Sequence, residues 1–260
     1  MPTSRCCTPR SWPDGHNREP RVRGVRFGST GSSRSSRSGP ARDRACRQRP
    51  AGTLPPMGVY SDQVVPRLTN RLLGTKEFGK LRREACEGLQ GDVIEVGFGS
   101  GLNVAHLPDA VTGVWAVEPS GTATKLAAKR IAASPTPVQV VGVDGARLGC
   151  PDRRFDAALS TMTLCTIPDV RAALQELRRV LKPGASFHFA EHGRAPVANV
   201  ARAQDRFNAM QMRLAGGCHL NRDIVALITD AGFEIEQLRT FFLKGPKAWG
   251  YMSIGWAQSN

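Results

Sequence analysis

The sequence predicts an α/β fold: a seven-stranded, mostly parallel sheet with helices on both faces and a C-terminal antiparallel hairpin. Three observations predict it. Short apolar runs alternate with helical segments across residues 92–191. A glycine-rich turn containing Gly97, Gly99 and Gly101 follows the first of those runs. Two long strand-like runs, 233–242 and 248–257, are separated by Gly245 and Pro246 and read as a hairpin at one sheet edge.

The first 56 residues stand apart. The chain carries a net charge of +14, and nine of those charges fall here, from twelve arginines against Asp14, Glu19 and Asp43. The segment is rich in Ser, Pro and Gly and has almost no apolar periodicity, so it cannot bury enough surface to offset chain entropy and is expected to be disordered. Its composition fits a tether to nucleic acid or an acidic membrane, a transit peptide, or an upstream extension of the reading frame with the start at Met57. Arginine without lysine favours the last. No apolar h-region marks a secretory signal. Residues 57–260 carry the remaining +5 and are long enough for one α/β domain. No run of 18 apolar residues predicts a membrane-spanning helix. The seven cysteines form no CxxC pair, so spacing supports neither a disulfide framework nor a zinc site. They read as free thiols in a reducing cytoplasm, and a cytoplasmic location is the expectation.

Past Met57, apolar residues from Val64 to Leu81 recur at mostly helical spacing, predicting a helical opening over about 60–88. Strands follow at 92–96, 113–118, 138–143, 156–160 and 186–191. Helices lie between them: near Asn103, at 122–133, and at 170–181, where Val170, Leu174, Leu177 and Leu181 form one stripe that Lys182, Pro183 and Gly184 end. Continuous apolar strands alternating with helices mean a parallel sheet buried on both faces. After the fifth strand, a helix at 197–214 aligns Val200, Ala203, Phe207, Met210 and Leu214. A second helix starts behind Asn221 and ends at Gly232.

In open parallel sheets, ligands bind beyond the carboxyl ends of the strands, where the strand order reverses. Gly97, Gly99 and Gly101 permit a tight turn and close backbone approach there. A dinucleotide fingerprint would place its third glycine at position 102, which is Leu102. Glu118, followed by Pro119, ends the second strand and is placed to accept from both hydroxyls of a ribose. Asp144 ends the third strand, where its carboxylate can accept from an adenine amino group and the N–H of Gly145 can reach a ring nitrogen. A plain Asp turn is the competing reading.

Glu95 with Gly97, Gly99 and Gly101, then Asn103, Glu118, Asp144, Phe155 to Ser160, and Arg179 to Gly184 together resemble the class I S-adenosylmethionine-dependent methyltransferases, over about residues 58–258. The methyltransferase-11 and ubiquinone-biosynthesis-like group is the nearest in pattern. The resemblance implies a Rossmann-like domain over 57–260, with S-adenosylmethionine as cofactor. It implies a cofactor site of Glu95, Gly97, Gly99, Gly101, Asn103, Glu118, Pro119, Asp144, Gly145 and Ser160, with residues around Ser160 and Met162 along the methionine moiety. Residues 163–166, Glu191 with His192, and 217–221 are similar to alkyl-thiol methyltransferases, and phospholipid amine methyltransferases look similar over the same region. Animal members of the alkyl-thiol group carry an amino-terminal membrane anchor, which is not expected from this sequence.

The expected reaction is methyl transfer to a small molecule, a thiol, an amine or a lipid-like acceptor, by in-line displacement, and it needs no metal. A thiol with a pKa of about 8.5 is partly thiolate near neutrality, whereas an amine near pKa ~10 needs a base. Glu191 and His192 leave the fifth strand at the carboxyl edge and are the candidate catalytic bases; anchoring for Glu191 and pocket wall for His192 are the competing roles. His188 reads as core and His219 as a pocket neighbour. Tyr60 reads as a flap over the cofactor, and Phe207, Met210 and Leu214 as a substrate roof or as packing onto the sheet. Cys165 and Cys218 read as small buried hydrophobes. A non-catalytic cofactor-binding module and a nucleic-acid methyltransferase guided by the basic tail are the alternatives. Specific nucleic-acid binding is not expected: the stretch from Ser160 to Thr163 lacks the base-amino methyltransferase tetrapeptide, and Cys150 precedes Pro151 rather than following it.

Overall fold

The computed structural model describes residues 60–259. The readings of residues 1–56 and of Met57 lie outside them.

Seven strands form one sheet: β1 (Gly91–Val96), β2 (Val111–Val117), β3 (Val138–Gly142), β4 (Phe155–Thr161), β5 (Leu181–His192), β6 (Phe233–Phe242) and β7 (Tyr251–Ser259). Their order is β3-β2-β1-β4-β5-β7-β6. The first five run parallel, and β7 inserts antiparallel between β5 and β6. This is the sheet the sequence predicts, with the order reversing between β1 and β4.

Successive strand residues point to opposite faces, so each face has its own core. Ile94, Val96, Phe155, Phe187 and Phe189 pack on one face with Leu174 and Leu177 of α4 (Val170–Val180) and Ile228 of α6 (Ile224–Asp230). Val93, Val114, Ala157 and Leu159 pack on the other with Ala85 and Cys86 of α2 (Lys76–Cys86) and Ala127 of α3 (Gly121–Ala132). Glu95, one residue after Ile94, is therefore turned toward the α2 face. That alternation decides its surroundings.

Four elements differ from the expectation. β5 begins at Leu181, five residues before the predicted 186, so Lys182 to Gly184, read as a helix stop, already belong to the strand. The helix expected near Asn103 is only a 3₁₀ turn, Val104–His106. Leu107 after it is extended (φ −65°, ψ 131°), as a residue before proline must be. The opening helix is broken: a π turn, Tyr60–Val64, leads into α1 (Val65–Leu73), and α2 starts after Gly74 and Thr75. The last strand begins at Tyr251 because Lys247–Gly250 form a helical turn. On α5 (Ala198–Leu214), Val200, Ala201 and Gln204 are buried, whereas Met210 and Leu214 are exposed, so the apolar stripe read from the sequence does not coincide with the packed face. Among the described cysteines, Cys86, Cys165 and Cys218 are free and buried, while Cys150 is disulfide-bonded, which corrects the all-thiol reading. No helix of the described residues is long and apolar enough to cross a membrane.

Candidate functional site

A cleft of about 460 Å³ opens at the carboxyl ends of β1 to β4, within the size range of small-ligand sites. Gly97 and Gly99 line it after β1, Glu118 and Pro119 after β2, Asp144 and Gly145 after β3, and Thr161, Met162 and Thr163 after β4. Four separate strand ends thus converge where the strand order reverses, as the parallel topology dictates. The carboxylate of Glu118 binds the glycine turn to the second strand: Gly99 N–H donates to Oε2 at 2.7 Å and Ser120 N–H to Oε1 at 2.8 Å. Burial pushes its pKa up, and these two donors oppose that shift. Asp144 caps its own turn by accepting from Ala146 N–H at 2.9 Å and still lines the cleft. Asp144 is therefore a turn residue that also borders the cleft.

The structure moves four predicted residues out of the cleft lining. Gly101 is closely packed: a Cβ there would meet Phe98 at 3.2 Å and Ala127 at 3.3 Å. Ser160 is fully buried and donates to Glu191 at 2.8 Å, so the wall is Thr161 to Thr163 instead. Glu95 and Asn103 lie beneath the floor. Asn103 Nδ2 donates to Glu95 Oε1 at 2.7 Å, and its Oδ1 accepts from Arg82 at 2.8 Å.

Arg82 is the main residue that sequence reasoning missed. It lines the cleft yet is only 8% exposed, donates to Thr161 Oγ1 at 2.8 Å, and its Nε has no hydrogen-bond partner among the described residues. Burial lowers its pKa, and Glu95 opposes the shift. Nothing in the local pattern of α2 announces an inward arginine. Its only signal is its place on the helix face that also carries Ala85 and Cys86. The roof was half legible. Val65, Pro66, Thr69, Asn70 and Leu73 of α1 line the cleft. The roof is docked by Ser120 Oγ donating to Asp62 at 2.9 Å and Ser100 Oγ donating to Asn70 at 2.8 Å. Tyr60 is not the flap. Its hydroxyl donates to the carbonyl of Leu214 at 2.9 Å, tying the roof to the end of α5.

Neither candidate base reaches the cleft. The Glu191 carboxylate is fully buried and accepts from Ser160 Oγ, from Thr163 N–H at 2.9 Å and from Leu164 N–H at 3.1 Å. It anchors the wall turn after β4. His192 is buried with Nε2 3.0 Å from Cys218 Sγ. The catalytic assignment of this pair is thereby corrected: β5 ends at the edge of the cleft, but the 163–167 turn stands between it and the space. His188 is core, with Nδ1 3.1 Å from the Ala85 carbonyl. His219, Phe207, Met210 and Leu214 do not line the cleft; Ala215 and Gly216 do.

Glu95 gives a pH-dependent stability. Burial raises its pKa to about 8, against hydrogen bonding from Asn103 and the charge of Arg82. An unfolded glutamate titrates near ~4.3. Between those values the folded chain holds a proton that the unfolded chain has lost, so this contribution is full below the window and is lost as pH rises through it. Thermal melts of the wild type and Glu95→Gln from pH 5 to pH 9 are expected to diverge. The variant should gain several degrees relative to the wild type at the alkaline end, and parallel curves would refute the assignment.

The model of a family described as "Methyltransferase domain" matches residues 94–189. The human thiol S-methyltransferase TMT1B is 30% identical over 190 residues, covering 69% of this chain and 76% of that protein. The rat and mouse proteins of that name match at 30% and 29% identity over 61% and 64% of their own lengths, so the chain spans about three fifths of them. A ubiquinone/menaquinone biosynthesis C-methyltransferase from Caulobacter vibrioides is 38% identical over 65 residues, a quarter of each chain. The crystal structure of an S-adenosylmethionine-dependent methyltransferase from Mesorhizobium loti superposes with a TM-score of 0.53 at 19% identity, covering 72% of this chain and 99% of that one, and shares the fold.

Proposed function

We infer the activity from family: the chain belongs to the class I S-adenosylmethionine-dependent methyltransferases, and S-adenosylmethionine is its cofactor. The residues of the cleft fit that molecule. Glu118, with lone pairs beyond those taken by two backbone donors, would hold the ribose hydroxyls. Asp144 and the N–H of Gly145 would meet the adenine edge. Arg82, a buried guanidinium with an unpartnered Nε in the cleft, would take the methionyl carboxylate. Bound there, the cofactor supplies an activated methyl group on its sulfonium. The chain's task is then to align the acceptor and keep water out, which would fall to the α1 roof and the 161–163 wall that line the cleft.

The acceptor is proposed to be a small thiol. One observation carries this. Among the described residues, the ionisable groups lining the cleft are Arg82, Glu118 and Asp144, and all three belong to the proposed cofactor contacts. None of the described lining side chains is left to deprotonate an ammonium. A thiol arrives partly ionised and needs no base. The likeness to thiol S-methyltransferases supports the same acceptor class.

Two measurements test this. Labelled cofactor offered to pools of thiols, amines, phenols and nucleic acids is expected to label the thiols; label confined to RNA or DNA would discard the reading. With thiols of different acidity, kcat/KM should rise about tenfold per pH unit below each acceptor's own pKa, with midpoints that move with the acceptor. A midpoint common to all acceptors would instead reveal a base in the protein.

A further inference from the structure

Cys165, His192 and Cys218 are 26 or more positions apart in sequence, and no linear spacing announces them. The fold brings them together behind the 163–167 wall. His192 Nε2 lies 3.0 Å from Cys218 Sγ, Cys218 Sγ lies 3.6 Å from Cys165 Sγ, and all three ligand atoms fall within 4.8 Å of one another. With zinc–sulfur bonds of about 2.3 Å, a tetrahedral ion would set its two sulfurs about 3.8 Å apart. The pair already stands close to that spacing. The sulfur–nitrogen edge would have to open by about half an ångström.

The backbone around the cluster is held independently. His219 N–H donates to the Cys165 carbonyl at 2.9 Å, joining the two cysteine-bearing segments. The Arg222 guanidinium clamps the Leu164 carbonyl at 2.6 Å and the Ile167 carbonyl at 2.7 Å. Gly216 and Gly217 adopt φ of +61° and +90°, which carries the chain from α5 back to Cys218. Cys165 adjoins Thr166, whose Oγ1 is 3.4 Å from the Cys165 sulfur and which lines the cleft.

We propose that Cys165, His192 and Cys218 form a site for a thiophilic divalent cation, Zn²⁺, that ties the 163–167 wall to the 215–218 segment on one side of the cleft. Binding releases the two thiol protons to solvent, and two thiolates with a neutral imidazole balance the dication. The soft donor set selects against Mg²⁺ and Ca²⁺. The fourth position is left to a water or another small ligand. The ion's role is to stiffen the wall, since the cluster is buried and does not line the cleft.

The test uses tag-free full-length protein, reduced and held without oxygen. After incubation with Zn²⁺ and desalting, elemental analysis is expected to find about one more zinc per chain in the wild type and in Cys86→Ala than in Cys165→Ser or Cys218→Ser. Co²⁺ in place of Zn²⁺ should give sulfur-to-cobalt charge-transfer bands in the near ultraviolet and tetrahedral bands in the visible. Cys165→Ser should lose most of that intensity while keeping its circular dichroism. Equal metal content in all four proteins, or a wild-type cobalt spectrum without thiolate bands, overturns the proposal. The wild-type spectrum decides the matter even where a serine variant fails to fold.

Discussion

Replacing Gly97 by valine is expected to cost the fold and the ligand together, whereas Gly99→Leu costs chiefly the ligand. Both glycines have positive φ, +75° and +59°, so any side chain is strained at either position. Their surroundings differ. A Cβ on Gly97 would lie 2.1 Å from both Cγ2 and Oγ1 of Thr163, and it would push on the wall turn that Glu191 anchors. Strain and overpacking together cost about 2–5 kcal/mol, or roughly 5–20 °C in Tm for a domain of this size. A Cβ on Gly99 meets nothing nearer than the Gly97 carbonyl at 3.9 Å and has room in the protein itself. Leucine there occupies the cleft. Calorimetry should find no S-adenosylmethionine binding to Gly99→Leu, with a Tm reduced by only a few degrees. Full-affinity binding would mean that the cofactor lies elsewhere. For Gly97→Val, adding Thr163→Gly should recover part of the lost Tm by removing the clash and leaving only the φ strain. No recovery would show that the contact with Thr163 is not what the substitution disturbs.

Glu191 separates two roles that look alike in sequence, base and anchor. Its carboxylate satisfies the Thr163 and Leu164 N–H groups and the Ser160 hydroxyl, all buried or half-buried. Glu191→Ala leaves these donors without a partner, each at a cost of about 1–3 kcal/mol, and frees the 163–167 turn. The expected result is a Tm loss of 10 °C or more and an increase of at least tenfold in KM for the cofactor. Glu191→Gln keeps the shape and one acceptor oxygen. An anchor then retains most of its kcat, within about tenfold, with a modest loss of Tm. A base would lose kcat by about 10²–10⁴ with Tm and KM unchanged. That second pattern would restore Glu191 to the chemistry and require the wall turn to open.

The strands, the order reversal after β1 and the residues at the ends of β2 and β3 were legible in the sequence because each is written locally. An apolar run, a glycine turn and a strand-end acid constrain backbone that lies next to them in the chain. Gly97, Gly99, Glu118, Pro119, Asp144 and Gly145 all reach the cleft as expected. Only the tertiary structure decided which side chains the cleft would take from elsewhere. Arg82 meets Asn103 and Thr161 across 21 and 79 positions. The roof depends on Asp62 finding Ser120, and the metal-ligand cluster on β5 meeting two turns that flank other elements. Glu191 was legible as a strand-end acid, but its role was not, because donors from a neighbouring turn consume it. Local sequence sets where the backbone goes; burial and partnership of a polar side chain depend on which distant segment packs against it.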